Sequence, residues 1–450
     1  MITVRDGAAS ALLWRLRNRL PSAGPLFLTV LLANFGASLA LQYARWNYTT
    51  LTPIGGDAAN TLLFKSDDSL WIRVRPELDQ YHHGIGTWPH TFTDLFEVWL
   101  HAFDANPYTD WILSPSVYPP LVHLLVLPFS QISWSWFLAG YLTIGIGGWF
   151  LMLRRILVLT RCPWPTLGAV ALELFTLPIA FGLDRGNIEV IVGLLVAFSI
   201  LPALKPGVSK TVRVWPIVLA GFLKISPIVM LGLVRWRRRS LIELVVSGLA
   251  CAAASVLALW LMQGPTVDSA HAFVDLSRAF GTSGSDPFVF RSTLWGTESA
   301  AATVIAPGFV PIVPSGMVCF GIIALLAFVA AVLPFYLWER IALIGASMVL
   351  FSADGPAYRL LYLLIAAAVF LGVTWHRRAW YFLVMAALLA AALAPRPWIP
   401  ELPWAWTLVT GTSLVLVIVV VLGAGIWRIY LLRGRRLPHA RSVTTKGFGV

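Results

Sequence analysis

The sequence predicts an all-α protein that crosses a membrane many times. Hydrophobic residues make up 58% of the chain and charged residues only 12%. Mean hydropathy is +0.77, and apolar runs recur from one end of the chain to the other, too many and too long for one soluble core. These observations predict a single integral membrane domain over residues 1–450, with about 10–12 transmembrane or re-entrant helices.

The predicted spans follow the apolar runs in order. They cover Pro25–Tyr43, Ser133–Leu153, Pro165–Gly182, Asn187–Leu204, Leu241–Met262, Gly316–Leu337, Ile341–Phe351, Leu360–Trp375, Trp380–Leu393 and Trp406–Trp427. Two further apolar segments do not fit a simple transmembrane helix. Leu121–Phe129 is too short to cross a hydrocarbon core of about 30 Å as a helix, and Val214–Val234 is broken by Gly221, Lys224 and Pro227. Both are interpreted as re-entrant half-helices.

The basic residues predict the orientation. Both ends of the chain and the short basic turns place 23 of the 33 Lys and Arg on one side, which the positive-inside rule makes cytoplasmic. We therefore expect cytoplasmic termini in the cytoplasmic (inner) membrane, a cytoplasmic tail at 437–450, and extracytoplasmic loops at 44–117 and 264–305. The net charge of +12 then serves topology and attraction to anionic lipid. Nucleic acid is not an expected partner, because the charges are dispersed on short loops.

The large outer loop, 44–117, is the acidic part of the chain, with nine of the 21 Asp and Glu. Around Asp94 its apolar residues recur at helical spacing while the polar ones lie off that stripe, which predicts a helix in the membrane interface. The stripe is Phe92, Phe96, Trp99 and Phe103, and the polar set, whose carboxylates are expected to face water or a cavity, is Asp94, Glu97, His101 and Asp104. A surface helix that merely covers the bundle is the alternative.

Asp94 is the first candidate for catalysis, since a carboxylate at the boundary of water and lipid can act as a general base. Thr93 and Asp94 are also residues that favour a helix start, so an N-cap is the alternative. Asp67 and Asp68 are further outer carboxylates that could share or replace the role. No metal site is predicted, because the spacing of His, Cys, Asp and Glu shows no convincing ligand cluster.

Basic residues near breaks between apolar runs are candidates for binding an anionic substrate. Arg185 has the planar guanidinium that suits phosphate, or it pairs with Asp184 and caps the next helix. Lys224 lies well inside an apolar run, where an ionisable residue suggests function, although its side chain could also snorkel to the surface. Tyr358 and Arg359 suit a sugar-phosphate pocket, or equally a tight turn.

Several of these pieces, taken in order, resemble one family. They are the acidic helix ending in Asn106-Pro107-Tyr108, then Tyr118-Pro119-Pro120, then Gly186-Asn187, and finally Ala220-Gly221 with Lys224 and Pro227 ahead of Arg237–Arg239. The chain resembles the polyprenyl-phosphate-sugar-dependent membrane glycosyltransferases of the GT-C class, specifically glycosyltransferase family 87. Mycobacterial mannosyltransferases of phosphatidylinositol mannosides belong to that family.

The resemblance implies a GT-C-like bundle with an extracytoplasmic loop region and an outward-facing cavity. It implies inverting transfer of a hexosyl or pentosyl group, mannosyl for example, from a polyprenyl-phosphate monosaccharide to a glycolipid or glycan acceptor in cell envelope biogenesis. No cofactor is implied, because the lipid-linked sugar donor is a co-substrate. The family position of the catalytic Asp matches Asp94, and the substrate-binding set is expected to be Tyr118, Arg185, Asn187, Lys224, Tyr358 and Arg359. A polytopic transporter or flippase for lipid-linked sugars is the alternative function.

Overall fold

The all-α prediction is confirmed. The computed structural model describes residues 21–49, 93–110, 116–205, 211–282, 293–294, 297–298, 301, 316–352, 357–394 and 403–434. Within these ranges the chain forms helices joined by turns, and its extended pairing is limited to an isolated bridge between Asn106 and Asp110. Asp67, Asp68, the tail at 437–450 and much of both predicted outer loops lie outside the described residues.

The helices are named here in chain order. They are α1 Ala23–Thr49, α2 Thr93–Leu100, α3 Pro120–Val126, α4 Trp134–Leu159, α5 Pro165–Leu174, α6 Leu177–Arg185, α7 Glu189–Leu204, α8 Trp215–Leu223, α9 Arg238–Leu261, α10 Thr266–Thr282, α11 Gly316–Val332, α12 Leu337–Leu350, α13 Leu361–Thr374, α14 Trp380–Leu393 and α15 Pro403–Gly434. Short 3-10 helices at Leu127–Gln131, Ser226–Leu233 and Ala357–Leu360 continue from α3 and α8 and lead into α13.

The bundle has an apolar centre and an apolar periphery, as expected of a protein in lipid. Nearly every side chain of α13 is buried, and so are most of those of α12. In contrast, α9 exposes Val245, Val246 and Leu249, so we assign its outer face to lipid. Among the described residues, α4, α9 and the Thr407–Leu432 part of α15 are long and apolar enough to cross a membrane, and seven more apolar helices are shorter.

The interruptions of the helices explain where the polar groups collect. The segment Val214–Val234 is divided into α8 and a 3-10 helix at Lys224, as the sequence predicts, because Pro227 has no N–H to continue the α-helix. The single span predicted at Pro165–Gly182 is wrong. It is two helices, α5 and α6: the chain is extended at Thr176, and a new helix begins at Leu177 with Pro178 in its first turn, where the missing N–H of proline costs no hydrogen bond.

The start of α12 is joined to α15 by a buried ion pair. Arg428 donates two hydrogen bonds of 2.6 Å to the two carboxylate oxygens of Glu339, and the hydroxyl of Tyr381 on α14 also donates to this carboxylate. Glu339 has no exposed surface. The carboxylate therefore holds three helices together, and Arg428 balances its charge.

Candidate active site

Three polar residues predicted from the sequence lie together, although they are far apart in the chain. Asp94 is in the first turn of α2, Asn187 precedes α7, and Lys224 follows the last turn of α8. The side-chain amide of Asn187 donates to Oδ2 of Asp94 at 2.6 Å. The ammonium of Lys224 donates to Oδ1 of the same Asn187 at 3.2 Å. Asn187 therefore links the carboxylate to the lysine.

The backbone around Gly186 fixes the position of Asn187. Helix α6 ends at Gly186, whose φ of 68° lies in the left-handed region that favours glycine. The backbone N–H of Asn187 then returns to the carbonyl of Gly182 at 2.9 Å. The side-chain oxygen of Asn187 accepts the N–H of Glu189 at 2.9 Å and so caps α7. With that oxygen held by Glu189 and Lys224, the amide nitrogen is left to face Asp94.

Tyr141 of α4 supports the same turn from the other side. Its hydroxyl lies 3.1 Å from the carbonyl oxygen of Gly182 and 3.0 Å from that of Asn187. Directly after Tyr141, the middle turn of α4 at Thr143–Gly148 is a π-helix, a distortion that often occurs near functional sites. The backbone that carries Asn187 is thus held by two helices.

Glu189 and Tyr362 extend this group, and sequence reasoning missed both. Oε2 of Glu189 lies 2.8 Å from the ammonium of Lys224, and the hydroxyl of Tyr362 on α13 donates to Oε1. Glu189 has no exposed surface, while the side chain of Lys224 is 17% exposed. The position of Glu189 at the start of an apolar run could have suggested a functional residue. Acidic residues are, however, common at helix starts for reasons of stability. Nothing in the sequence marked Tyr362.

The environment of Asp94 suits a proton acceptor. Burial raises the pKa of the Asp94 carboxyl above its usual 3.8, and the hydrogen bond from Asn187 and the charge of Lys224 oppose that rise only in part. A carboxylate with a raised pKa is a stronger base than one in water. The side chain is half-buried, so an approaching hydroxyl group could reach it.

The remaining predicted site residues lie in elements around this group. The short helix that carries Arg359 packs against α6, and Arg359 is half-buried one turn before Tyr362. Tyr118 is half-buried, and its backbone carbonyl accepts the hydroxyl of Tyr108 at 2.8 Å. The side chains of Arg185 and Tyr358 lie outside the described residues, so their expected contacts with substrate stay predictions.

The Asn106-Pro107-Tyr108 motif holds loop segments together. The amide of Asn106 donates to the carbonyl of Gln263 at 2.8 Å and to the hydroxyl of Ser269 at 2.7 Å, which ties the end of the acidic segment to α10. The expectation that the Asp104 carboxylate faces water is wrong. It lies 2.5 Å from Nδ1 of His101, and both side chains have almost no exposed surface, because pairing lets both polar groups be buried.

The part of the chain that the structure describes shows no cluster of metal ligands in this region. Among the described residues, no three of His, Cys, Asp and Glu are arranged so that they could hold a metal ion. Asp94, Asn187 and Lys224 engage one another, and the ammonium supplies a fixed positive charge. The arrangement can therefore accept a proton near a positive group.

Comparison with known proteins gives one family. The model of glycosyltransferase family 87 matches residues 117–353, more than half of the 450 residues. No curated protein matches the chain, and no solved structure does. The matched range includes Asn187, Glu189 and Lys224, whereas Asp94 precedes it and Tyr362 follows it.

Proposed function

Because the chain belongs to glycosyltransferase family 87, we propose that this membrane glycosyltransferase transfers a sugar from a polyprenyl-phosphate monosaccharide to a glycolipid or glycan acceptor, with inversion at the anomeric carbon. The observation that carries the proposal is the hydrogen-bonded series from Asp94 through Asn187 to Lys224. In that series a half-buried carboxylate is linked to an ammonium group, and this supports the proposal, because a single displacement with an anionic leaving group requires a base and a nearby positive charge.

In the proposed reaction Asp94 removes the proton of an acceptor hydroxyl. The resulting oxygen forms a bond to the anomeric carbon from the face opposite the phosphate, and the bond between that carbon and the phosphate oxygen breaks. The polyprenyl phosphate leaves with the electron pair. Asn187 holds the carboxylate of Asp94 in place, so its reacting oxygen is positioned before the acceptor arrives.

The departing phosphate needs more positive charge than Lys224 supplies. Lys224 is already paired with the carboxylate of Glu189 and is near enough to Asp94 to interact with its charge, so these three side chains together carry a net negative charge when ionised. We therefore propose that Arg359 and Arg185, in the elements next to this group, contribute the remaining positive charge. Tyr118 and Tyr358 are proposed to stack against the sugar rings, since aromatic rings pack well on the apolar faces of sugars.

The proposed site faces the outside of the inner membrane. The distribution of lysine and arginine supports this orientation, and it places the acceptor and the lipid-linked donor in the outer leaflet. The direct test is to incubate the purified protein with labelled polyprenyl-phosphate sugars and a membrane lipid extract. Transfer of the label to a second lipid or glycan supports the proposal. Movement of intact donor across vesicles without transfer supports the flippase alternative.

The pH dependence of the reaction should report on Asp94. The carboxylate is the reacting form, so kcat/KM should fall as the pH drops through a pKa above 3.8. Asn187→Asp keeps an oxygen to cap α7 but adds a second negative charge beside Asp94. We expect the acid limb to move up by about one unit or more. Gln131→Leu, at an exposed amide, is the control, and an acid limb unmoved by Asn187→Asp would contradict the assignment.

Transfer is predicted to need no divalent metal. A lipid monophosphate needs less neutralisation on leaving than a diphosphate, and the proposed arginines and lysine supply fixed charge. Activity measured in EDTA should equal activity in buffer, and added Mg²⁺ or Mn²⁺ should not raise it. Loss in EDTA with recovery on adding Mg²⁺ would overturn this prediction and make Asp67 and Asp68 candidate ligands.

A further inference from the structure

Arginines accumulate where α12 begins, at the opposite end of that helix from the turn that leads to Tyr362. The acidic residues near them are already paired. Glu339 is fully engaged by Arg428. Glu243 accepts a hydrogen bond from Arg213 at 3.0 Å and lies 3.5 Å from Arg239. These carboxylates therefore have little charge to offer other arginines at this end of the bundle.

Two of the arginines at this end, Arg235 and Arg340, have no carboxylate partner among the described residues. Arg340, in the first turn of α12, is half-buried, and its Nε is buried with no hydrogen-bond partner. Arg235 is exposed and lies two residues after the 3-10 helix Ser226–Leu233, which packs against α12, so its charge repels that of Arg340. Like charges side by side, one of them partly withdrawn from water, are costly unless an anion compensates them.

The surroundings of the two arginines match the level of phospholipid headgroups. Trp236, next to Arg235, is exposed, as interfacial tryptophans are. Leu241 and Ile242 follow on the exposed face of α9, which we assign to lipid. The guanidinium group is planar and presents paired N–H donors that fit phosphate oxygens. A phosphate beside these arginines would accept hydrogen bonds from their guanidinium groups and offset the repulsion between the like charges.

We propose that Arg235 and Arg340 form an anion site for a phosphate group, supplied by an anionic phospholipid in the leaflet at this end of the bundle. The site is separate from sugar transfer and does not depend on the proposed function. Bound lipid would fix the loop before α9 against the start of α12. Inorganic phosphate has the same phosphate oxygens and could also occupy the site. The experiment distinguishes it from phospholipid.

The test measures thermal unfolding of delipidated protein in an uncharged detergent. Phosphatidylglycerol, phosphatidylcholine and sodium phosphate are added separately, each against sodium chloride at equal ionic strength. We expect phosphatidylglycerol to raise the melting temperature most. An equal rise with sodium phosphate alone would support the anion site and assign it to free phosphate. No rise with either would overturn the site.

Arg340→Met gives the sharper result, because it removes the half-buried charge. Without lipid we expect this variant to melt at or above the temperature of the wild-type protein. With phosphatidylglycerol the order should reverse, and the apparent affinity for this lipid should fall about tenfold or more. If Arg340→Met melts earlier without lipid and responds to lipid as the wild type does, the proposal is wrong.

Two further variants keep the test decisive. Arg235→Gln changes an exposed side chain and should also weaken the response to lipid. It therefore tests the site even if Arg340→Met does not fold. Arg377→Gln removes a charge of the same kind from another exposed position and should leave the response intact. An equal loss in Arg377→Gln would show that only general surface charge matters and would refute the site.

Discussion

Replacing Asp94 by Asn should lower kcat by roughly two orders of magnitude or more, the usual contribution of a positioned general base. The amide has nearly the shape of the carboxylate but cannot accept the proton of an acceptor hydroxyl. Folding should not suffer, because a group whose burial disfavours its charged form is replaced by a neutral one. Turnover of labelled donor and the melting temperature are measured on the same preparation.

Asp110→Asn provides the matched control for Asp94→Asn. Asp110 lies on the same acidic segment but is exposed, and its replacement should leave turnover close to that of the wild type. Donor binding by Asp94→Asn, measured separately, should stay near wild type. If Asp94→Asn turns over normally, Asp94 is not the base, and Asp67 and Asp68 become the next carboxylates to replace.

The second large effect is expected on stability. Lys224→Met would leave the carboxylate of Glu189 buried without its counter-ion, which costs roughly 3–5 kcal/mol when a buried pair is broken. Adding Glu189→Gln removes the orphaned charge, so the double variant should regain most of the lost stability. It should not regain activity, because the ammonium that orients Asn187 and adds positive charge beside Asp94 is still missing. Thermal melting and turnover of both variants separate these contributions.

Lys205→Met is the control for loss of a positive charge. Lys205 lies at the other end of α7 and is exposed, so its removal should change neither stability nor turnover appreciably. A Lys224→Met protein that melts like the wild type would show that the pair with Glu189 is not structural. Full activity in the double variant would show that Lys224 takes no part in the reaction.

Sequence reasoning was most successful where polar residues interrupt an apolar pattern. The all-helical class, the break at Lys224 and the family all follow from local features of the chain. Asp94, Asn187 and Lys224 could be selected because each lies near a helix end, where charged and hydrogen-bonding groups are conspicuous in a hydrophobic sequence. Their hydrogen bonds to one another were not predicted.

The partners that complete the site could not be identified in the same way. Glu189 meets Lys224 and Tyr362 only because α7, α8 and α13 pack together, and no periodicity in the sequence encodes that meeting. His101 and Asp104 are a local pair, three residues apart, but their burial depends on packing against His123 of α3. A polar residue off the apolar stripe of a helix is predicted to face solvent. Whether another part of the chain covers it depends on tertiary contacts.

The hydrogen bond from the Tyr362 hydroxyl to Glu189 joins residues 173 positions apart in the chain. This separation matters for the order in which the site is synthesised. At about 5–20 residues per second, the ribosome needs on the order of ten seconds or more to proceed from one residue to the other. During that interval Glu189 and Lys224 have already been synthesised and delivered towards the membrane, while α13 has not. The nascent protein must therefore tolerate a carboxylate with an incomplete set of partners, and a product interrupted before residue 362 would contain the proposed base yet lack a finished site.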